Sequence, residues 1–177
     1  MVRRVVAGHR GGKAVFLSDG QPAGVQKFQA MPGMMTAPIW ETGPTAAVSS
    51  NDAIVPPGET SFLPAPGETR FLYLQVAPQS VMMNPDFDPV AAQEEMLRLQ
   101  PEMAALMEAD APGMHRTESI DYVIVLDGEI YIELDDGAEI LLRQHDTIIQ
   151  IGTRHAWHNR SDRPVLLAVV LVGALRG

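Results

Sequence analysis

Six apolar runs crowd the last third of this sequence, at 121–127, 129–135, 138–143, 146–151, 155–159 and 164–173, and no helical pattern separates them. Parallel neighbours need a crossover of a dozen or more residues, so strands this closely spaced pair antiparallel. The turns Asp127-Gly128 and Asp135-Asp136-Gly137 carry the Asp-Gly dipeptide that tight hairpins favour. A small closed or doubly layered all-β body follows, whose interior receives every second side chain of each strand.

The first half is less regular. Arg3–Ala7 and Lys13–Ser18 read as two strands around a turn at Gly8–Gly12, which places His9 in that turn. Residues 30–68 hold many of the 14 prolines and read as a coil-rich arm over a sheet, with one edge strand near Ala37–Glu41. Met34, Met35, Trp40 and Ile54 are its candidates for burial, on the barrel or on a second subunit. Arg70–Ala77 reads as a strand. A helical insertion follows at about 88–109, with Asp88 as N-cap and Pro89 in the first turn. Met96, Leu99, Met103, Leu106 and Met107 recur at helical spacing, and Pro101 should split the run in two. This stripe reads as core packing, with a lid over a pocket as the alternative.

The 177 residues suit one domain, with 1–69 as N-terminal strands and arm and 70–177 as barrel. A net charge of −9 argues against nucleic acid or an anionic membrane as partner. The chain has no cysteine, which removes disulfides and thiolate chemistry. The apolar run after Met1 is too short for a signal peptide, and Val165–Leu175 is about half the ~20 residues of a membrane span. The expectation is a cytoplasmic protein. No Gly-rich phosphate loop is present, so no organic cofactor is expected.

The chemistry concentrates in two segments. His115, Thr117, Ser119 and Asp121 alternate, as do Val123 and Val125 after them, so an extended chain gives one face a histidine, two hydroxyls and a carboxylate before it turns apolar. About forty residues later, Gln150, then Gly152 as a bulge, then His155 and Trp157 present a second set, with His158 pointing away as a surface or interface residue. Gln150, Trp157 and Tyr73 are candidate walls of the shared cavity, and Arg154 either meets a substrate carboxylate or lies exposed in its loop. Mutual satisfaction in a polar core is the plain alternative, but so many polar groups in one barrel are costly to keep for packing alone.

These segments resemble the two motifs of the cupin superfamily, G-x5-H-x-H-x3-4-E-x6-G and G-x5-P-x-G-x2-H-x3-N. Counted back from Gly128, Asp121 stands at the glutamate, Thr117 at the second histidine and His115 at the first. Gly152, His155 and Asn159 match the second motif, Gln150 replaces its proline, and His145-Asp146 stands where Gly-Asp is usual. The resemblance covers roughly residues 113–172. It implies a double-stranded β-helix, or jelly-roll barrel, and a homodimer as the assembly. It also implies a depleted metal site, since one histidine has become threonine and the glutamate has become aspartate.

Two chemistries stay open. In one, His115, Asp121 and His155 hold a divalent ion (Fe, Zn, Mn or Ni), the set of a dioxygenase. In the other, His115 and His155 work as acid and base without metal, tuned by Asp121. What similar cupins with depleted motifs do favours a lyase or isomerase on a small molecule, by dehydration, decarboxylation or proton shift. His155 would take the proton, His115 would return it, and Thr117 and Ser119 would fix the substrate. A non-catalytic small-molecule binder is the third expectation.

Overall fold

The structure is a computed structural model that describes residues 2–48 and 61–177. Ile54, one of the residues expected to be buried, lies outside these. The chain opens with a hairpin of β1 (Arg4–Arg10) and β2 (Lys13–Gly20) turning at Gly11-Gly12. His9 is therefore not in the turn. It pairs with Ala14 inside the ribbon, because two glycines with positive φ suffice to reverse the chain.

Next come β3 (Gln26–Lys27), β4 (Met35–Thr42) and β5 (Thr69–Val76). Then follow three short helices, α1 (Gln79–Met82), α2 (Pro89–Leu99) and α3 (Pro101–Leu106). The remaining strands are β6 (Ser119–Asp127), β7 (Glu129–Glu133), β8 (Glu139–Arg143), β9 (Thr147–Ile151), β10 (Ala156–His158) and β11 (Val165–Gly173). One sheet has the order β3-β4-β5-β11-β6-β9 and the other β10-β7-β8, with antiparallel pairing throughout. The strand expected near Ala37–Glu41 is longer than that, and tiny β3 takes the edge beside it.

The two sheets close on one apolar core. Leu72, Val123, Val125, Leu167, Val169 and Leu171 from the large sheet meet Ile130, Ile132 and Leu142 from the small one. Each is buried to within a tenth of its surface, and full burial of such a side chain stabilises by about 1.5–3 kcal/mol. Period-two alternation produces this layer: on β6 Ser119, Asp121, Val123 and Val125 are buried while Tyr122 and Ile124 are exposed. His145 sits between β8 and β9 with a φ of +74°, in the left-handed region. A glycine is at home in that conformation, which accounts for the glycine usual there in the resembling motif.

The helical insertion starts as its sequence dictates. Asp88 Oδ1 accepts from the Val90 and Ala91 amides at 2.9 and 3.0 Å, and the run breaks between Leu99 and Pro101. Its buried positions are Ala92, Glu95 and Gln100, while the Met/Leu stripe is half-buried. The carboxylate of Glu95 accepts from the Gln29 and Ala30 amides at 3.0 and 2.8 Å. Gln100 Nε2 donates to Thr36 Oγ1 and Gln26 Oε1, both at 2.9 Å. These polar contacts fasten the insertion across the start of β4. The short α1 has no counterpart among the sequence expectations. No helix among the described residues is long and apolar enough to cross a membrane.

Candidate functional site

His115 and His155 lie where two non-adjacent segments touch. Each backbone N–H donates to the other's carbonyl at 3.0 Å, which makes them a directly opposed antiparallel pair. Opposed residues share a face, so the rings stand together with centroids 4.4 Å apart. Gly152, with φ of +56°, supplies the bend after β9 that delivers His155 to this position.

In each ring Nδ1 lies 3.0 Å from a backbone carbonyl, Gly113 O for His115 and Thr153 O for His155. A carbonyl only accepts, so Nδ1 carries the proton and Nε2 keeps its lone pair. Burial disfavours the charged form of both. It holds His115 below the ordinary histidine range. Together with the charge of His115, it brings His155 down to about 4. Both rings are neutral bases at pH 7.

Asp121 is buried on β6, where Ser119 Oγ stands 2.5 Å from Oδ1 and Thr117 Oγ1 donates to Oδ2 at 3.2 Å. The two hydroxyl oxygens are themselves 2.9 Å apart. Two hydroxyl groups thus serve three oxygen–oxygen contacts at the carboxyl. Burial pushes the Asp121 carboxyl above its usual range, and the hydrogen bonds from Ser119 and Thr117 pull against that rise.

These residues line a cavity of about 90 Å³. Thr117, Asp121, Gln150, His155 and Trp157 are all in its wall, the Trp157 ring edge-on to His155 at 5.9 Å. Met103 of α3 and Phe62 close it from the side of the insertion, joined by Thr36 and Gln100. The sequence reading did not find these four. Only Met103 left a signal, in the helical stripe weighed as a lid.

Three expectations are corrected. Tyr73 does not face the cavity: strand alternation gives Leu72 and Leu74 to its wall and turns Tyr73 to the opposite face, beside Phe71. Ser119 does not line it either: its hydroxyl is turned to Asp121 and Thr117, so it positions the carboxyl rather than a substrate. Arg154 is neither exposed nor free for a substrate, because Glu108 holds it at 2.6 Å and Asp135 at 3.0 Å.

His158 does point away from the cavity, but it is paired rather than loose on the surface. Its ring lies 2.6 Å from Glu133 and 2.9 Å from Gln79. Asn159 is fully buried and structural: its amide donates to the carbonyls of Val76 and Arg163 while its oxygen accepts from Ser161.

The donor set fits a metal only in part. The two Nε2 atoms suit one, since each ligand-type imidazole is oriented by a carbonyl on its other nitrogen. The carboxyl suits it poorly, with both oxygens engaged. Among the described residues, the group whose donor atoms all lie within 4.8 Å of one another is Glu133, Glu139 and His158, outside the cavity, and not His115, Asp121 and His155.

No protein-family model matches the chain. Phomopsin biosynthesis cluster protein C' of Diaporthe leptostromiformis is 58% identical over 48 residues, 27% of this chain and 25% of that protein. A cupin-domain-containing oxidoreductase of Hypocrea virens is 46% identical over 46 residues, 26% of this chain and 24% of that protein. With the two motifs now folded onto one barrel cavity, the fold is settled.

The chain carries a cupin barrel.

This chain spans about a quarter of the length of those curated relatives. Among solved structures, a cupin domain of a transcriptional regulator from Enterobacter cloacae aligns at a TM-score of 0.36 and 16% identity, over 60% of this chain and 83% of that one. An ethanolamine utilization protein from Salmonella typhimurium aligns at 0.42 and 11%, over 99% and 98%.

Proposed function

We propose that this cupin is a small-molecule lyase or isomerase that moves a proton within its barrel cavity without a metal. One observation carries the reading. Two neutral imidazoles have their Nδ1 protons committed to carbonyls, and both Nε2 lone pairs remain available beside a buried carboxyl.

The roles differ from the first expectation. His115 has no Nε2 proton to give, so it does not serve as the acid. His155 takes the proton, His115 stands beside it as a second neutral base, and Asp121, raised by burial and tied by Ser119 and Thr117, returns a proton. The apolar walls and Trp157 favour a small, mostly hydrocarbon substrate.

The test is solvent deuterium exchange into phenylacetone, a small carbon acid, followed by proton NMR. The wild type is expected to exceed the buffer rate, and His155→Ala to lose about 10²–10⁴-fold of that excess. Equal rates in the two proteins overturn the reading.

A second reading draws on the printed names of the partial relatives, several of them oxidoreductases. Here His115, Asp121 and His155 would hold a divalent ion, which supplies Lewis-acid or redox chemistry when bound. Asp121 would first give up one hydroxyl partner. Metal analysis of protein purified without chelator separates the two: a stoichiometric ion lost in both His115→Ala and His155→Ala favours this reading.

A further inference from the structure

Gln150 is 2% exposed, it lines the cavity, and its Nε2 has no hydrogen-bond acceptor. Leaving a buried amide N–H unmade costs about 1–3 kcal/mol, so such a group in a cavity wall points to a partner that arrives from outside. No neighbouring side chain takes that place. Asp121, its register partner on β6, has its oxygens engaged with Ser119 and Thr117. Both imidazole Nδ1 atoms are turned to carbonyls, and neither imidazole Nε2 accepts from the Gln150 amide.

We infer that Gln150 is the seat of a carbonyl oxygen, so that the substrate class is a small, largely apolar ketone or aldehyde. This rests on the acid/base reading above and deepens it. A carbonyl held at Gln150 beside Asp121 acidifies the adjacent carbon, and the imidazoles on the same cavity wall are the bases that can take its proton. When that proton leaves, the electron pair moves onto the carbonyl oxygen and gives an enolate. The Gln150 N–H and the Asp121 carboxyl meet the developing charge there. Reprotonation at another carbon completes an isomerisation, and departure of a β-hydroxyl as water completes a dehydration. Neither requires an oxidant or a cofactor. Gln150 has no proton to exchange, so it binds and orients.

The experiment compares phenylacetone with propylbenzene, which has the same skeleton and lacks the oxygen, in binding to wild type and to Gln150→Met. Methionine keeps the length and apolar bulk and removes the donor. Wild type should bind the ketone more tightly than the hydrocarbon, and Gln150→Met should weaken ketone binding by about tenfold. Hydrocarbon binding should hold or tighten, which also shows that the variant cavity is intact. The infrared carbonyl stretch of carbonyl-labelled phenylacetone should shift down on binding wild type and recover in the variant.

A wild type that does not prefer the ketone, or a variant that keeps the preference and the shifted stretch, overturns the inference. The two proposals fail separately. Ketone preference at Gln150 without deuterium exchange leaves the oxygen seat standing and removes the proton transfer. Exchange with unchanged preference in Gln150→Met does the reverse.

Discussion

His115 and His155 are joined through the backbone before their rings interact at all: each donates its N–H to the other's carbonyl at 3.0 Å, and the ring centroids then stand 4.4 Å apart. Side-chain truncation therefore removes one ring without releasing the segment that bears the other. That makes single substitutions at this site interpretable.

The first prediction concerns protonation. Burial and the neighbouring His115 charge both disfavour the imidazolium of His155, so its ring resonance should titrate at about 4 by NMR. In His115→Ala one of these causes is gone, and the midpoint should move up. A wild-type midpoint near the ordinary 6.5 would show the ring to be solvated.

Stability should follow the same linkage. The folded pKa of His155 lies below its unfolded value, so between about 4 and 6.5 the unfolded chain binds more protons. The contribution is fully present above pH 6.5 and is lost as pH falls towards 4, on the order of a few kcal/mol. His115 acts with the same sign, whereas the raised Asp121 favours the folded state at low pH and loses that advantage as pH rises above the ordinary carboxylate range. Urea denaturation from pH 4 to 8 should show stability rising with pH. The rise should be shallower in His155→Ala.

Ser119→Ala should act on Asp121 rather than on the substrate. Its hydroxyl is a buried partner of Oδ1, and loss of one such bond costs about 1–3 kcal/mol. Among the causes acting on Asp121, this hydrogen bond lowers its pKa against burial, so the carboxyl should titrate higher still in the variant. Carboxyl-carbon NMR and chemical denaturation measure the two effects. Unchanged values in both would mean that Ser119 is not the partner.

Glu95→Ala should loosen the helical insertion while the barrel stays folded. The buried carboxylate accepts two backbone amides, and its removal leaves both donors without it, at a cost of about 2–4 kcal/mol. Hydrogen exchange should speed up in residues 89–106 and at Gln29 and Ala30, with β6 and β11 unchanged. Uniform acceleration across the chain would place Glu95 in the global core instead.

Much of the molecule was legible before folding. Strand alternation fixed the inward face of β6, the Asp88-Pro89 start and Pro101 fixed the helices, and hairpin spacing fixed antiparallel pairing. The alternation of His115, Thr117, Ser119 and Asp121 put four polar groups on one face, because a strand's period of two is a local property of the backbone. Locality also explains the failures. Nothing within β5 says which of its two faces meets the cavity, so Tyr73 was misplaced by one residue's alternation. Gln100 and Met103 meet the site across Thr36 because Glu95 and Gln100 pin the insertion over the start of β4, through contacts between positions more than sixty residues apart.

The amino-acid order alone determined the type of body, its strands and the inventory of reactive groups, since these follow from short-range periodicity and turn chemistry. Which of those groups are held neutral, which is raised and which lacks a partner depended on burial and on contacts between distant segments. Desolvation and hydrogen-bond commitment belong to the folded surroundings and not to the residue, so only the tertiary structure decided that His155 is neutral, Asp121 is raised and Gln150 is left with an unmade bond.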